Sequence, residues 1–457
     1  MRNPLVVALS ALALRLWLIF QFPIVFGGDS MLRLMHRDQV LLSYQLPLLQ
    51  CFIWLITRFT AGALPVRLLM AAIGALAAVA FYYLAADLAG PRAALIGALL
   101  FATNPYITPV SIVPYQEILL LATLFAAFHF FFARRWVAAA VFLTLACFTR
   151  FEAWVACPIL AAAWFLDGPR TIRRAAIAVA LYAPAPIAWI LLRQGLSPQG
   201  SFVLDHAITL ARFSRYSFLA VHTAANATIP VLILAAAGLT RLRSRRLAIL
   251  AAFLALFCLA ILFSAHGELP DPERIVTTRE IHIPLACVLL LATLGCARFP
   301  RLALPVAAVG IALGVWGAYT FVRHETARPE MRLGYELARY LDAHVAPGQQ
   351  VLICARPPNI ELYFRKALET GGPAGLAAAH RAIDAIDVLP TDVQRTMIHL
   401  NRVRRDQIFT YPKLPDHPDW IATWSDFVGQ VPDLPRAAEF HAADRSVVVL
   451  KNPGLPH

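Results

Sequence analysis

Two isolated acids, Asp29 and Glu117, are the residues of this chain best placed to do chemistry, because each stands at the mouth of a long apolar run. Asp29 follows a glycine pair in Phe26-Gly27-Gly28-Asp29-Ser30-Met31-Leu32-Arg33. Insertion into a membrane disfavours acids beside a span, so a carboxylate there is either solvated at the interface or functional. Glu117 begins an apolar run otherwise free of charge until Arg134, in Val113-Pro114-Tyr115-Gln116-Glu117-Ile118. A helix N-terminus also favours a carboxylate through its dipole, so a structural reading stands beside the functional one. Brought together, two such acids can supply the base that a weakly nucleophilic hydroxyl needs.

Cations accompany them. Arg33 lies one helical turn beyond Asp29, and the two share a face if that stretch is helical. His36, Arg37 and Asp38 follow in the same loop. Arg150 and Glu152 occupy the short turn Thr149-Arg150-Phe151-Glu152 and read as a local interfacial ion pair. A further loop carries His266, Glu268, Asp271, Glu273, Arg274, Arg279 and Glu280, and His282 opens the run after it. Its histidines and acids match no standard metal-ligand spacing, so no cofactor is expected; a divalent metal is possible, but the pattern does not support one. Arg274 or Arg279 suits a phosphate, since the guanidinium fork matches that group, while solvated loop charge explains them equally well. The inventory fits sugar transfer from a lipid phosphate. The departing phosphate is a stable anion that needs electrostatic support, and the acceptor hydroxyl needs a base.

The elements that must position these residues are membrane helices. The chain is 59% hydrophobic and 15% charged, with a mean hydropathy of +0.64, which ordinary soluble proteins do not reach. The expected fold is a polytopic α-helical membrane protein with a small C-terminal α/β domain outside the membrane. Eleven spans are expected at 5–26, 65–88, 93–107, 118–132, 136–148, 153–166, 175–192, 218–239, 247–265, 281–297 and 302–321. Arginine clusters at 92, 134–135, 170–174, 241–246 and 298–301 fall at alternate junctions, which places them in the cytoplasm. The N-terminus is then cytoplasmic, and Asp29, Glu117, Arg150, Glu152 and the tail share the outer side. Segment 46–59 is apolar but short and contains Gln50 and Arg58, so an interfacial or re-entrant helix is expected there.

The formal charge of +13 does not indicate nucleic acid. Residues 322–457 hold 16 basic and 16 acidic side chains, which leaves the entire excess in the membrane part. That is a topological signal, not a basic binding face. Two domains are expected, a transmembrane domain over 1–321 with a structured external loop at 27–64, and an external α/β domain over 322–457. In the tail the patterning predicts helices at 329–345 and 360–367 and strands at 349–354, 420–424 and 446–450. The seven cysteines form no CxxC or Cys/His pattern, and only Cys354 is in the tail.

These features, in this order, resemble the GT-C superfamily of integral-membrane glycosyltransferases, in particular its protein O-mannosyltransferase and lipid A aminoarabinose-transferase branch. The pieces that carry the resemblance are Gly28-Asp29, Gln45-Leu46-Pro47-Leu48, Gly74-Ala75-Leu76, Tyr82-Tyr83-Leu84-Ala85, Gly90-Pro91-Arg92, Asn104-Pro105, Glu117 and Arg279 through Pro284. The resemblance implies an inverting transferase of the cytoplasmic membrane that takes its sugar from a polyprenyl-phosphate donor. The acceptor would be a lipid, glycan or protein hydroxyl at the outer face. Asp29 would be the acceptor-activating base and Glu117 the second active-site acid. The chain departs from the family at Ser30, where an acid is common, and at Gln45, where a lysine is common, so phosphate contact passes to Arg33, Arg279 or Arg274. Arg37, Gln45, Arg150, Glu152, His266 and His282 complete the candidates. Two rival readings are a transporter for a lipid-linked glycan, which would place its charges near the midplane, and a non-catalytic assembly protein.

Overall fold

The computed structural model describes residues 2–42, 46–60, 62–196, 214–241, 244–263, 281–354, 396–402, 407–409, 418–424, 434–442 and 445–452. The helices before the tail are α1 (Arg2–Gln21), α2 (Gly28–Met35), α3 (Leu48–Thr57), α4 (Leu64–Ala89), α5 (Pro91–Ala102), α6 (Ile107–Val110), α7 (Gln116–Phe132), α8 (Trp136–Cys147), α9 (Ala156–Leu166), α10 (Ile172–Tyr182), α11 (Pro184–Leu196), α12 (Ser214–Ala227), α13 (Ile229–Gly238), α14 (Arg245–Phe263), α15 (His282–Arg298) and α16 (Pro300–Ala327). A 3-10 turn, Phe151–Val155, separates α8 from α9. Among the described residues, three helices are by themselves long and apolar enough to cross a membrane: α1 from Asn3, α4 and α16. Helix α3 has 10 residues, about 15 Å, half of what a bilayer core requires.

Two expected spans are broken. The 175–192 segment bends by 60° between Tyr182 and Pro184, and the 218–239 segment turns by 107° between Ala227 and Ile229. Proline explains both. Pro184 opens α11, and Pro230, two residues after Thr228, has no N–H to continue the helix from α12, which breaks at Thr228 with φ 66°. The first span also stops earlier than expected, at Gln21.

Packing inverts the usual arrangement of polarity. Leu5, Leu9, Phe20, Leu76 and Ile172 are exposed, while Arg15 and Arg67 are fully enclosed. Phe81, Phe101 and Phe125 join α4, α5 and α7 with ring centroids 4.8–5.6 Å apart. Helices α13 and α15 meet through glycine. A Cβ on Gly238 would lie 2.0 Å from the Leu291 carbonyl oxygen, and one on Gly295 would lie 1.9 Å from that of Leu234. Gly314 of α16 seats in the same way on the Thr103 carbonyl. Such close backbone approach is how helices associate where water supplies no driving force.

The chain forms two compact units. One comprises Met1–Gln21, Asp38–Leu55 and Val66–Val322, and the other Phe22–Arg37, Ile56–Pro65 and Arg323–His457. The second unit contains α17 (Pro329–His344) and strands β1 (Val351–Cys354), β2 (Ile408–Phe409), β3 (Trp420–Trp424), β4 (Arg436–Ala442) and β5 (Arg445–Lys451) in the order β2-β1-β3-β5-β4. β1 pairs in parallel with β2 and β3, whereas β5 runs antiparallel to β3 and β4. Leu333, Leu337 and Leu341 of α17 pack with Val351, Ile353, Trp420 and Val449. The helix and strands expected at 329–345, 349–354, 420–424 and 446–450 are present. β2 and β4 add to them, and the helix expected at 360–367 lies outside the described residues.

Gly295→Val should force α13 and α15 apart at a backbone carbonyl that cannot yield. Thermal unfolding in detergent should show a destabilisation of about 2 kcal/mol, and an unchanged midpoint would mean that the contact is not close.

Candidate active site

Glu117 is positioned by the loop before α7. Asn104 at the end of α5 accepts the backbone N–H groups of Tyr106 (2.9 Å) and Ile107 (3.0 Å), and its amide donates to the Asn226 carbonyl. Pro114 stops the chain from continuing as helix, and Tyr115 caps α7 in an extended conformation. Glu117 therefore falls in the first turn of α7, with its side chain 1% exposed.

Arg150 reaches it from another element. This residue is extended, with φ −151° and ψ 150°, and it leads into the 3-10 turn that carries Glu152. Its Nη1 donates to Glu117 Oε1 at 2.7 Å, while its Nε donates to Glu152 Oε1 at 2.8 Å. One guanidinium thus joins two carboxylates from separate helical connections, in the forked geometry that favours arginine over lysine. The Trp154 indole, donating to the Cys147 carbonyl at 3.1 Å, ties the turn back to α8. His282 at the start of α15 is fully buried and acts electrostatically on Glu152. Burial pushes the Glu152 carboxyl up, but the charge and hydrogen bonding of Arg150, with His282 behind them, bring it down to about 2.

The local ion pair expected for Arg150 and Glu152 is thus one part of a larger cluster that includes Glu117 and lies near His282. Sequence reasoning did not connect Arg150 to Glu117, because 33 residues and a helical hairpin separate them. It also passed over Arg15 and Arg67, although an arginine inside an apolar run is itself a signal. Cys147 and Cys157, which share no sequence motif, flank the same turn as free thiols with sulfurs 3.5 Å apart.

Asp29 lies in the second unit. Gly27, with φ 85°, opens the turn into α2, and the Ser30 hydroxyl donates to the Gly27 carbonyl at 2.7 Å. Asp29 is in the first turn and half-buried, and Arg33 in the last turn is 1% exposed. The stretch is helical, so the one-turn spacing of the two holds. Arg37 follows the helix, and its carbonyl accepts the Thr57 hydroxyl at 3.3 Å. Gln45, His266, Arg274 and Arg279 lie outside the described residues. Among those described, no three histidine, cysteine or acidic side chains converge as a metal site.

No protein-family model matches the sequence, nor does any curated protein. Solved structures do match. The chain shares its fold with solved structures that are 15% identical to it in sequence. In particular it is similar to ArnT from Cupriavidus metallidurans, aligning over 97% of both chains at 15% identity. The TM-score is 0.58 for the apo crystal structure and 0.60 for the one bound to undecaprenyl phosphate. The oligosaccharyltransferase of Archaeoglobus fulgidus aligns over 77% of this chain and 60% of its own, at 14% identity and a TM-score of 0.47.

The depressed Glu152 carboxyl carries a pH signature. Its folded value of about 2 is below the ordinary 4.5, so its contribution to stability is complete above pH 4.5 and is lost as the pH falls through 2. In Arg150→Gln the opposing effect of burial dominates and the carboxyl rises. The acid limb of a stability–pH profile should then move upward, with a loss at neutral pH of about 3 kcal/mol for a broken buried pair. An acid limb that stays in place would show that Arg150 is not the counter-ion.

Proposed function

We propose that this protein transfers a sugar from a polyprenyl-phosphate donor to an acceptor hydroxyl at the outer face of the cytoplasmic membrane. The observation that carries this reading is the likeness to ArnT over 97% of both chains, which includes a crystal structure of that protein bound to undecaprenyl phosphate. The cluster at Glu117 adds chemical content, since a buried carboxylate fixed by a guanidinium is the kind of group a transferase site requires.

In the proposed reaction the acceptor oxygen attacks the anomeric carbon and the bond from that carbon to the phosphate oxygen breaks. The phosphate leaves with the bonding electrons, and the hydroxyl proton passes to the Asp29 carboxylate. Attack from the face opposite the leaving group inverts the anomeric centre. Arg33 on the same helix, together with Arg274 and Arg279, would support the charge developing on the phosphate. Glu117, oriented by Arg150, serves as the second active-site acid, and the reaction as written requires no metal. An eleven-span topology with a cytoplasmic N-terminus and an external α/β domain completes the proposal. A hexose or pentose, and a lipid, glycan or protein acceptor, all suit this chemistry.

The test is transfer by purified protein in lipid vesicles, supplied with undecaprenyl-phosphate sugars. Asp29→Asn and Glu117→Gln should each lower the rate by roughly 100- to 10,000-fold while the protein still inserts and folds. Full activity in both variants would end the proposed mechanism, and no transfer by the wild-type protein from any such donor would end the proposed function. Topology has its own check. In a background without reactive native cysteines, a membrane-impermeant maleimide should label Thr60→Cys in whole cells and Arg170→Cys only after lysis. The reverse pattern would place the tail and the acids in the cytoplasm.

A further inference from the structure

Arg15 is fully buried in α1, a helix whose Leu5, Leu9 and Phe20 side chains face outward. Its Nε donates to Ser111 Oγ at 2.6 Å, and its Nη1 donates to the carbonyls of Ala11 at 2.9 Å and Ala102 at 3.2 Å. Among the described residues no carboxylate pairs with it, and Nη2 has no hydrogen-bond partner. Ala102 ends α5, so its carbonyl lacks a partner within the helix, and a cation there also meets the negative end of the dipole. The same carbonyl accepts the Thr108 hydroxyl at 2.9 Å, while Ser111 Oγ donates onward to the Thr108 carbonyl at 2.7 Å. The guanidinium therefore closes residues 102–111 into one hydrogen-bonded unit.

Two further contacts hold the same segment. Arg67 of α4, 1% exposed, donates from Nε to the Ile112 carbonyl at 3.1 Å. Gly74 makes room for Arg15: a Cβ there would lie 2.3 Å from Arg15 Nε and 2.9 Å from both Arg15 Cδ and Ser111 Cβ. Beyond Ile112 only Val113, Pro114, Tyr115 and Gln116 remain before Glu117. A charge enclosed in an apolar bundle is costly, and an apolar side chain would fill the volume without that cost. What the apolar side chain lacks is the ability to fix several acceptors from two segments in set directions.

We propose that Arg15, supported by Arg67, is a positioning residue: it fixes the 103–115 loop so that the first turn of α7 presents Glu117 to Arg150. This rests on the transfer reaction proposed above, with Glu117 as its active-site acid. Arg15 itself touches no reacting group.

The experiment compares Arg15→Met, Arg15→Lys and Gly74→Ala in the full-length protein in lipid nanodiscs. It measures kcat and KM for an undecaprenyl-phosphate sugar, and backbone amide exchange with α13 and α15 as internal reference. Arg15→Met should lower kcat roughly 10- to 100-fold with KM within about twofold of wild type. Amides of the 103–115 loop should lose protection while the reference helices keep theirs. Arg15→Lys, which retains the charge but not the fork, should recover part of kcat. Gly74→Ala should reproduce the kcat-only loss by displacing an intact Arg15, and it carries the test if Arg15→Met does not fold. In a Glu117→Gln background Arg15→Met should add nothing further. Wild-type kcat with unchanged loop protection, or a loss carried by KM, would overturn the positioning role. Full transfer by Glu117→Gln alone would instead overturn Glu117 as an active-site acid, and the positioning role with it.

Discussion

A charge withdrawn from water into an apolar bundle must find several acceptors at once, and the membrane unit of this protein is organised around that requirement. Three arginines illustrate it. Arg150 joins Glu117 to Glu152, Arg15 closes the end of α5 onto Ser111, and Arg67 holds the Ile112 carbonyl. Each link crosses between elements distant in sequence, so each acts as a tie that apolar packing alone does not provide. Dispersion and small-residue contacts bring the helices together, whereas the guanidiniums determine how the connecting loops lie between them.

The local chemistry of the chain accommodates those ties. Gly74 leaves space for the Arg15 side chain, and Gly314 brings α16 onto the Thr103 carbonyl at the start of the same loop. Pro114 and the extended Tyr115 make α7 start at Gln116, which puts Glu117 in its first turn. Gly74 and Asn104 are among the positions through which the sequence resembles the GT-C enzymes. The structure gives both a physical role, Gly74 as clearance for a buried cation and Asn104 as the side-chain acceptor that turns the chain toward α6.

Much of the helical framework was legible because long apolar runs are separated by strong punctuation. Gly90-Pro91, with φ 83° at Gly90, ends α4 and starts α5, and Arg134-Arg135 divides α7 from α8. The break at Thr228 was not legible, since Ala-Thr-Ile-Pro within an apolar stretch also suits a kinked span. β4, Arg-Ala-Ala-Glu-Phe-His-Ala, was missed because alanine and glutamate have little intrinsic preference for strands. Pairing with β5, whose Val447, Val448 and Val449 are buried, makes it one.

The sequence by itself determined that the chain is a helical membrane protein with a mixed α/β tail, and it singled out Asp29, Glu117, Arg150 and Glu152 as candidates. Periodicity, charge placement and helix punctuation are local properties, and local properties survive in a one-dimensional string. Only the tertiary structure decided that Arg150 belongs to Glu117 as much as to Glu152, and that Arg15 spends its charge on neutral acceptors beneath the same loop. Which acceptor a buried guanidinium finds depends on what the fold brings within 3 Å of it, and residues 33 or 96 positions apart become neighbours only through packing.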